Sequence, residues 1–246
     1  MSSPRDRFVT VYGRKPVLEV LRDASLTVDK VLLARGSQGG IVQEIRAAAK
    51  RRGISLRMVP PAEVNRVSRN GRQDQGVVCD VEAPLMSSLE DWEPGESAQL
   101  LAIDGVTTPG NVGLILRSAV AAGIDGILLP WRGNAGLGPL VIKASAGLAF
   151  RAPILRCGDL GLGLDHLRDL GFVSYGLAAD GASSLWDFDL APLAVFVVGS
   201  EAEGLSEPVR DRIDVGVSIP MAPEAESMNV ACAATVLAYE LRRRRG

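Results

Sequence analysis

Histidine and cysteine are nearly missing from this chain. It has one His, at position 166, and three Cys, at 79, 157 and 232, among 246 residues. The cysteines are odd in number and far apart, and no Cys/His spacing fits zinc. A disulfide framework, a Cys/His catalytic pair and a metal site are therefore not expected. No apolar run reaches the ~18 residues that a membrane span needs. The opening MSSPRDRFVTVYG lacks the apolar core of a signal peptide, so a cytoplasmic location is expected. There is no P-loop, no G-x-S-x-G elbow, no internal repeat and no low-complexity segment. GNAGLG (133–138) has its glycines at the wrong offsets for a dinucleotide fingerprint, and no acid stands where a ribose would want one.

What is present is an uneven distribution of charge. The net charge is −2. Residues 1–83 carry 15 Lys and Arg against 9 Asp and Glu, while residues 84–246 carry 12 against 20. A basic module fused to an acidic one points the first module at a polyanion. The bland alternative is that these cations solvate helix faces. Arg14, Lys15, Lys50, Arg51, Arg52, Arg69 and Arg72 are the candidate nucleic-acid contacts. The run RRRR (242–245) can be a nucleic-acid tail. Cations that complement the dipole at a helix C-terminus are the favoured reading.

The hydrophobic period divides the chain further. In 1–83, FVTVY, VDKVLLA, ISLRMV and GVVCDV read as strands. KPVLEVLRD, GIVQEIRAAAKRRG and PAEVNRVS read as helices, the second ended by Gly53. This is a small α/β sandwich. Residues 84–98, APLMSSLEDWEPGES, have no sustained period and read as a linker. From 99 to 246 a second α/β series runs from QLLAID to the long helix MNVACAATVLAYELRRRR. GNVGLILRSAVAAG and PLVIKASAGLAF are among its helices. Near-continuous apolar strands such as LAVFVV predict a mostly parallel sheet covered on both faces.

Ligands of such sheets bind at the C-terminal ends of the strands, and three segments there carry polar or glycine-rich chemistry. In Asp104–Ala119, Asn111 stands at a helix start and Arg117 follows inside an apolar stretch. A charge there either snorkels, pairs with an acid, or is kept for a ligand. In VVGSEAEGL a buried-type strand runs into Gly199, then Glu201 and Gly204. Either the glycines let a ligand approach the backbone, or the segment is a plain turn. In the third, Ile219-Pro220 precede Ser227-Met228-Asn229 at the start of the last helix. One side chain suffices to cap that helix, so a cap does not account for both Ser227 and Asn229.

In this order and spacing the three segments resemble the motifs of the SpoU (TrmH-like) family of RNA 2′-O-ribose methyltransferases. The first matches as Asn111, Gly113 and Arg117-Ser118-Ala119. The second matches as Gly199, Glu201 and Gly204, and the third as Ile219-Pro220 with Ser227-Met228-Asn229. Lys143–Gly147 is similar to a further family segment. VYGRKPVLEVL and DQGVV are similar to the ends of the family's N-terminal substrate-binding domain, of the ribosomal-protein L30e type. The chain departs from the family at Thr107–Gly110, where an acidic or Asp-Pro start is common, and at Met228, where leucine is usual.

The resemblance implies an L30e-like domain over 1–83, the linker 84–98, and a parallel-sheet α/β domain over 99–246 with a trefoil knot. It implies a homodimer, S-adenosylmethionine as cofactor, no metal, and 2′-O-methylation of RNA, with ribosomal RNA expected. Methylation of transfer RNA, or RNA binding without catalysis on the same fold, are the alternatives. It assigns the cofactor to Gly199, Glu201, Gly204, Ile219, Pro220, Met228 and Asn229. It assigns catalysis to Arg117, Asn111, Glu201, Ser227 and Asn229, with Glu201 either fixing Arg117 or acting as a base.

Overall fold

The computed structural model describes residues 7–225 and 227–245; residues 1–6, Glu226 and Gly246 lie outside them. Residues 7–84 fall in one compact unit, and residues 85–136 and 140–245 in another.

The first unit runs β1 (Phe8–Tyr12), α1 (Arg14–Arg22), β2 (Val28–Ala34), α2 (Gly40–Arg51), β3 (Ser55–Val59), α3 (Pro61–Ser68) and β4 (Val77–Glu82). The sheet order is β1-β4-β2-β3. β4 lies antiparallel to both neighbours, and β2 and β3 are parallel. β1 alternates half-buried and buried positions, as a strand with one covered face must. α3 starts on Pro61, which has no amide to waste in a first turn. It packs Val64 on Leu32, Ala34, Val59 and Val78. Asp74, buried beneath the loop that follows α3, accepts from Ser68 Oγ (2.8 Å) and Gly76 N–H (2.9 Å).

The second unit holds β5 (Ser87–Ser88), β6 (Ala98–Ile103), α4 (Pro109–Ala122), β7 (Gly126–Leu128), α5 (Pro139–Ala144), β8 (Ile154–Arg156) and α6 (Leu160–Asp169). It continues with β9 (Val173–Leu177), β10 (Ser183–Ser184), β11 (Leu193–Val198), α7 (Glu207–Arg210), β12 (Val215–Ser218) and α8 (Val230–Arg245). The strands form one sheet, β10-β12-β9-β11-β6-β7-β8-β5, and every pairing in it is parallel. β6 is buried at all six positions, the signature of a strand covered on both faces. Leu160, Leu164 and Leu167 of α6 and Val209 of α7 share a core with Leu100, Ala102, Leu128, Val195 and Val197. α4 and α8 pack against each other, with Ser118 Oγ 2.7 Å from Thr235 Oγ1.

Two sequence expectations change, and one open question closes. Residues 84–98 are not bare linker. Ser87 and Ser88 pair with Leu155 and Arg156, and Met86 and Leu89 are buried. A two-residue strand is too short to show a period. The helix expected over 139–150 stops at Ala144, because Ala146 and Gly147 turn left-handed at φ 51° and 80°. Buried Ser145 closes that bend, donating to Ile142 O (2.9 Å) and accepting from Ala149 N–H (3.2 Å). Arg117, whose place the sequence left open, lies on the exposed face of α4 beside the exposed Leu114. Val112, Ile115, Leu116 and Ala119 take the inner face instead.

The four terminal arginines are tied down. Arg242 donates to Ala122 O at 3.4 Å. Arg243 and Arg244 grip the buried Glu240, and Arg244 also donates to Leu185 O and Phe188 O. Arg245 donates to Gln99 Oε1 (2.7 Å) and Gly123 O (2.7 Å) and pairs with Asp125. The Glu240 carboxyl is pulled down to about 2, chiefly by the hydrogen bond from Arg243 and then that from Arg244.

Candidate active site

The site forms where β11 ends. Its last residue, Val198, leads into a closed loop: Ser200 and Gly204 exchange backbone hydrogen bonds of 3.0 and 2.9 Å, and Ser200 Oγ accepts from Glu203 N–H (3.1 Å). Two glycines make this loop possible. A Cβ on Gly199 would lie 2.2 Å from the carbonyl carbon of Gly204, and Gly204 has a φ of 67°. Buried Asp104, just past β6, anchors the far side by accepting from Ser206 N–H at 2.6 Å. The loop holds Glu201 outward.

Glu201 joins the three separated motifs. Its Oε1 accepts from Asn111 Nδ2 (3.2 Å), from Asn229 Nδ2, and from the backbone N–H of Val230 (3.4 Å). Asn229 Nδ2 also reaches Asn111 Oδ1 at 3.3 Å. Asn229 Oδ1 takes the free amides of Ala231 (3.0 Å) and Cys232 (3.3 Å) at the head of α8. Asn229 is therefore both the cap of that helix and a ligand of Glu201, which frees Ser227 from capping. Gly113 lets the motif helix sit low: a Cβ there would lie 2.5 Å from Ala144 Cβ and 2.6 Å from Val141 O. This is why small residues, Ala144 and Ser145, follow Lys143 in the similar segment.

A pocket of about 210 Å³ opens beside Glu201. Of the residues expected to hold a cofactor, Gly199, Glu201, Gly204, Ile219 and Met228 line it, whereas Pro220 and Asn229 do not. Ser227 lines it as well. Sequence reasoning missed Leu177, Ala178 and Ala179 after β9, and Ala233. The small residues ending FVSYGLAA were the available signal, since strand ends of parallel sheets are where ligands bind. Arg117 makes no hydrogen bond or ion pair with another described residue. The Arg117–Glu201 pair offered as one alternative is not among the ion pairs of the described residues, and Oε1 of Glu201 instead holds the two asparagines and an amide.

The basic candidates of the first unit divide in two. Arg14 is used internally, donating to Gln75 O (3.2 Å) and Gln38 O (3.1 Å). Arg52 caps the end of α1 by donating to Val20 O, Asp23 O and Leu26 O. In both, the guanidinium is committed at least in part to carbonyls of its own unit. Lys15, Lys50, Arg51, Arg69 and Arg72 are exposed and take no ion pair among the described residues. Elsewhere, burial pushes the Cys157 thiol up to about 12 and Cys79 higher still. Among the described residues no group of three or more His, Cys, Asp or Glu is placed to hold a metal ion, and no helix is long and apolar enough to cross a membrane.

Comparison with known proteins agrees with this geometry. Residues 98–239 match the model of the SpoU rRNA Methylase family, and residues 10–86 match that of RNA 2′-O ribose methyltransferase substrate binding. A protein of Mycolicibacterium vanbaalenii, named an uncharacterized tRNA/rRNA methyltransferase, is 37% identical over 244 residues, which is 96% of this chain and 76% of that one. The SpoU methyltransferase AviRb of Streptomyces viridochromogenes, solved with AdoMet, superposes with a TM-score of 0.70 at 27% identity, covering 98% of this chain and 91% of that one. The AdoMet-bound rRNA methyltransferase of Sinorhizobium meliloti gives 0.65 at 26% identity, with 98% and 88% covered. The chain belongs to the SpoU methylase family: it is an RNA methyltransferase that uses S-adenosylmethionine.

Proposed function

We propose that the protein methylates a ribose 2′-oxygen of ribosomal RNA, with Asn111, Arg117, Glu201, Ser227 and Asn229 at the reacting end of the pocket. The observation that carries this reading is the meeting of Asn111, Glu201 and Asn229, from three distant stretches of sequence, beside one pocket. The match of residues 10–86 to a 2′-O-ribose substrate-binding model supports the ribose. Coverage of 98% of the chain by an rRNA methyltransferase of Sinorhizobium meliloti supports ribosomal over transfer RNA. A trefoil path and a homodimer belong to the same reading.

The pocket fits the cofactor. Leu177, Val198, Ile219, Met228 and Val230 offer apolar walls to a purine ring. A Cβ at Gly204 would meet no heavy atom within 4 Å, so backbone is open there to a ligand. The Glu201 carboxylate at the wall suits a ligand carrying a positive charge. S-adenosylmethionine supplies, when bound, a methyl group already activated by its sulfonium.

The protein's task is then alignment and charge. Arg117 is exposed and has no partner among the described residues, and a planar guanidinium binds a substrate phosphate bidentately. A guanidinium holds its proton tightly and is a poor base. Its contribution is to fix the phosphate and stabilise negative charge growing on the 2′-oxygen. Glu201 Oε1 is committed to holding Asn111 and Asn229, so a proton leaving the hydroxyl is taken at Oε2. Alignment of this kind is the larger part of catalysis when the leaving group is already good.

The test is to map 2′-O-methylated positions in RNA from cells with and without the gene. One ribosomal position losing its methyl group supports the reading. A loss confined to transfer RNA replaces the substrate, and unchanged ribose methylation in every RNA overturns it.

A further inference from the structure

The reaction described above uses the edge of the sheet at β9, β11, β12 and β6. The neighbouring strands β7 and β8 end on the same edge, because all are parallel. β7 is one strand spacing, about 4.8 Å, from β6, and the chain leaving β6 carries Asn111.

Trp131 stands just past β7, and it is fixed there. Ile127, Leu129 and Trp131 donate their backbone N–H groups to Pro153 O, Leu155 O and Cys157 O at 2.8, 3.0 and 3.0 Å, so the ladder to β8 continues through the tryptophan. The guanidinium of Arg156, at the end of β8, lies 3.8 Å from the ring centroid. Arg156 is 4% exposed, whereas Trp131 is 47% exposed. A buried cation thus holds one face of a ring that remains half open to solvent. The next residue, Arg132, is exposed and has no ion pair among the described residues.

We propose that Trp131 is a stacking platform for a nucleobase beside the target ribose in single-stranded RNA, with Arg132 on an adjoining phosphate. The inference rests on the RNA methyltransferase reading above. Proteins read single-stranded RNA by stacking splayed bases on aromatic rings, and every base has a face to offer. A platform set on a strand end keeps its geometry better than one on a loop. The cation behind the ring draws on its electrons and holds it flat against the sheet edge. Placement one strand from the reacting end makes the occupant a neighbour of the methylated nucleotide.

The experiment compares the full-length protein with Trp131→Ala, Trp131→Phe and Arg132→Ala. The probe is a short labelled oligoadenylate, with an abasic chain of the same length as control. Trp131→Ala should weaken oligoadenylate binding by about five- to a hundredfold, the usual range for losing one stacked base. Trp131→Phe should restore most of it, and the abasic chain should bind wild type and Trp131→Ala alike. Arg132→Ala should lower the salt slope by roughly 0.7, the value for one phosphate of a single strand. Stabilisation by S-adenosylmethionine should be the same in every variant. Wild-type protein that binds oligoadenylate no better than the abasic chain overturns the platform, as does undiminished binding by Trp131→Ala. A Trp131→Ala protein that sediments in a different oligomeric state also overturns it, assigning the ring to a protein contact. Failure of wild type to bind S-adenosylmethionine would instead strike the methyltransferase reading and leave the stacking measurement standing.

Discussion

Two arginine-rich stretches of this molecule look alike in sequence and differ in use. Arg242–Arg245 are four cations in a row, and each is spent inside its own unit, on carbonyls, Gln99, Asp125 or the buried Glu240. Arg69 and Arg72 are only two, in the loop RNGRQDQG, and neither has an ion pair among the described residues. That loop is nonetheless rigidly built, with Asp74 buried beneath it and Asn70 Nδ2 on Tyr12 Oη at 3.2 Å. The denser run of charge is the structural one. A positive stretch marks a polyanion site only when its side chains are left without partners on a fixed backbone.

The same criterion selects Arg117, and it gives the largest expected effect. Arg117→Ala should cut single-turnover methyl transfer by ~10²-fold or more, the scale for losing a transition-state donor. Its melting temperature should stay near wild type, because an exposed side chain without a partner among the described residues contributes within about 0.5 kcal/mol. Arg117→Lys should rescue poorly, since an ammonium lacks the planar fork. A stable, fully active Arg117→Ala protein would sink the mechanism.

Arg244→Ala should behave in the opposite way. It removes donors from a buried carboxylate and two carbonyls, at a cost of roughly 1.5–3 kcal/mol. Thermal unfolding should shift down by several degrees while RNA affinity, measured on the folded protein, stays unchanged. A weakened RNA affinity without loss of stability would return the tail to the nucleic-acid surface.

Replacing Arg69 and Arg72 together by alanine should weaken RNA binding and flatten its salt dependence by roughly 1.5 in slope, for two phosphate contacts. Stability should hardly move. An unchanged slope in a salt titration would show that these side chains only solvate the loop.

The smallest effect is a pH dependence seen only in acid. The Glu240 carboxyl is held at about 2 in the folded chain, below its ordinary 4.5. A depressed carboxyl adds stability above its unfolded value and loses it as pH falls through the folded one. Melting curves of wild type and Glu240→Gln should therefore lie furthest apart above about pH 4.5. They should converge between there and pH 2. A gap that does not change across that window would rule out the linkage.

Much of the fold was legible in the sequence because the relevant forces are periodic. VDKVLLA and PAEVNRVS became β2 and α3 to the residue, and the apolar run LAVFVV became a central parallel strand. The pieces that escaped are short. Ser87–Ser88 and Ser183–Ser184 have no period to read, and their pairing partners, Leu155 and Val217 among them, are far away in sequence. At the candidate site the residue types Asn111, Glu201 and Asn229 were legible. Their mutual hydrogen bonds were not, because the contacts span up to 118 positions. The exposure of Arg117 was left open for a related reason: Leu114, Ile115 and Leu116 are all apolar, and only packing decides which of them faces water.

The sequence by itself determined the alternation of strands and helices, the basic and acidic halves, and the three stretches where polar residues interrupt strand ends. These follow from hydrophobic period, charge count and the backbone freedom of glycine at positions such as Gly204, all of which are local. The tertiary structure alone decided which cations are spent and which are free, and which side chain of Asn229 and Ser227 caps the helix. It also placed Trp131 over Arg156. Each depends on how closely two distant stretches of chain approach, and a hydrogen bond or ion pair is made or lost within about an ångström.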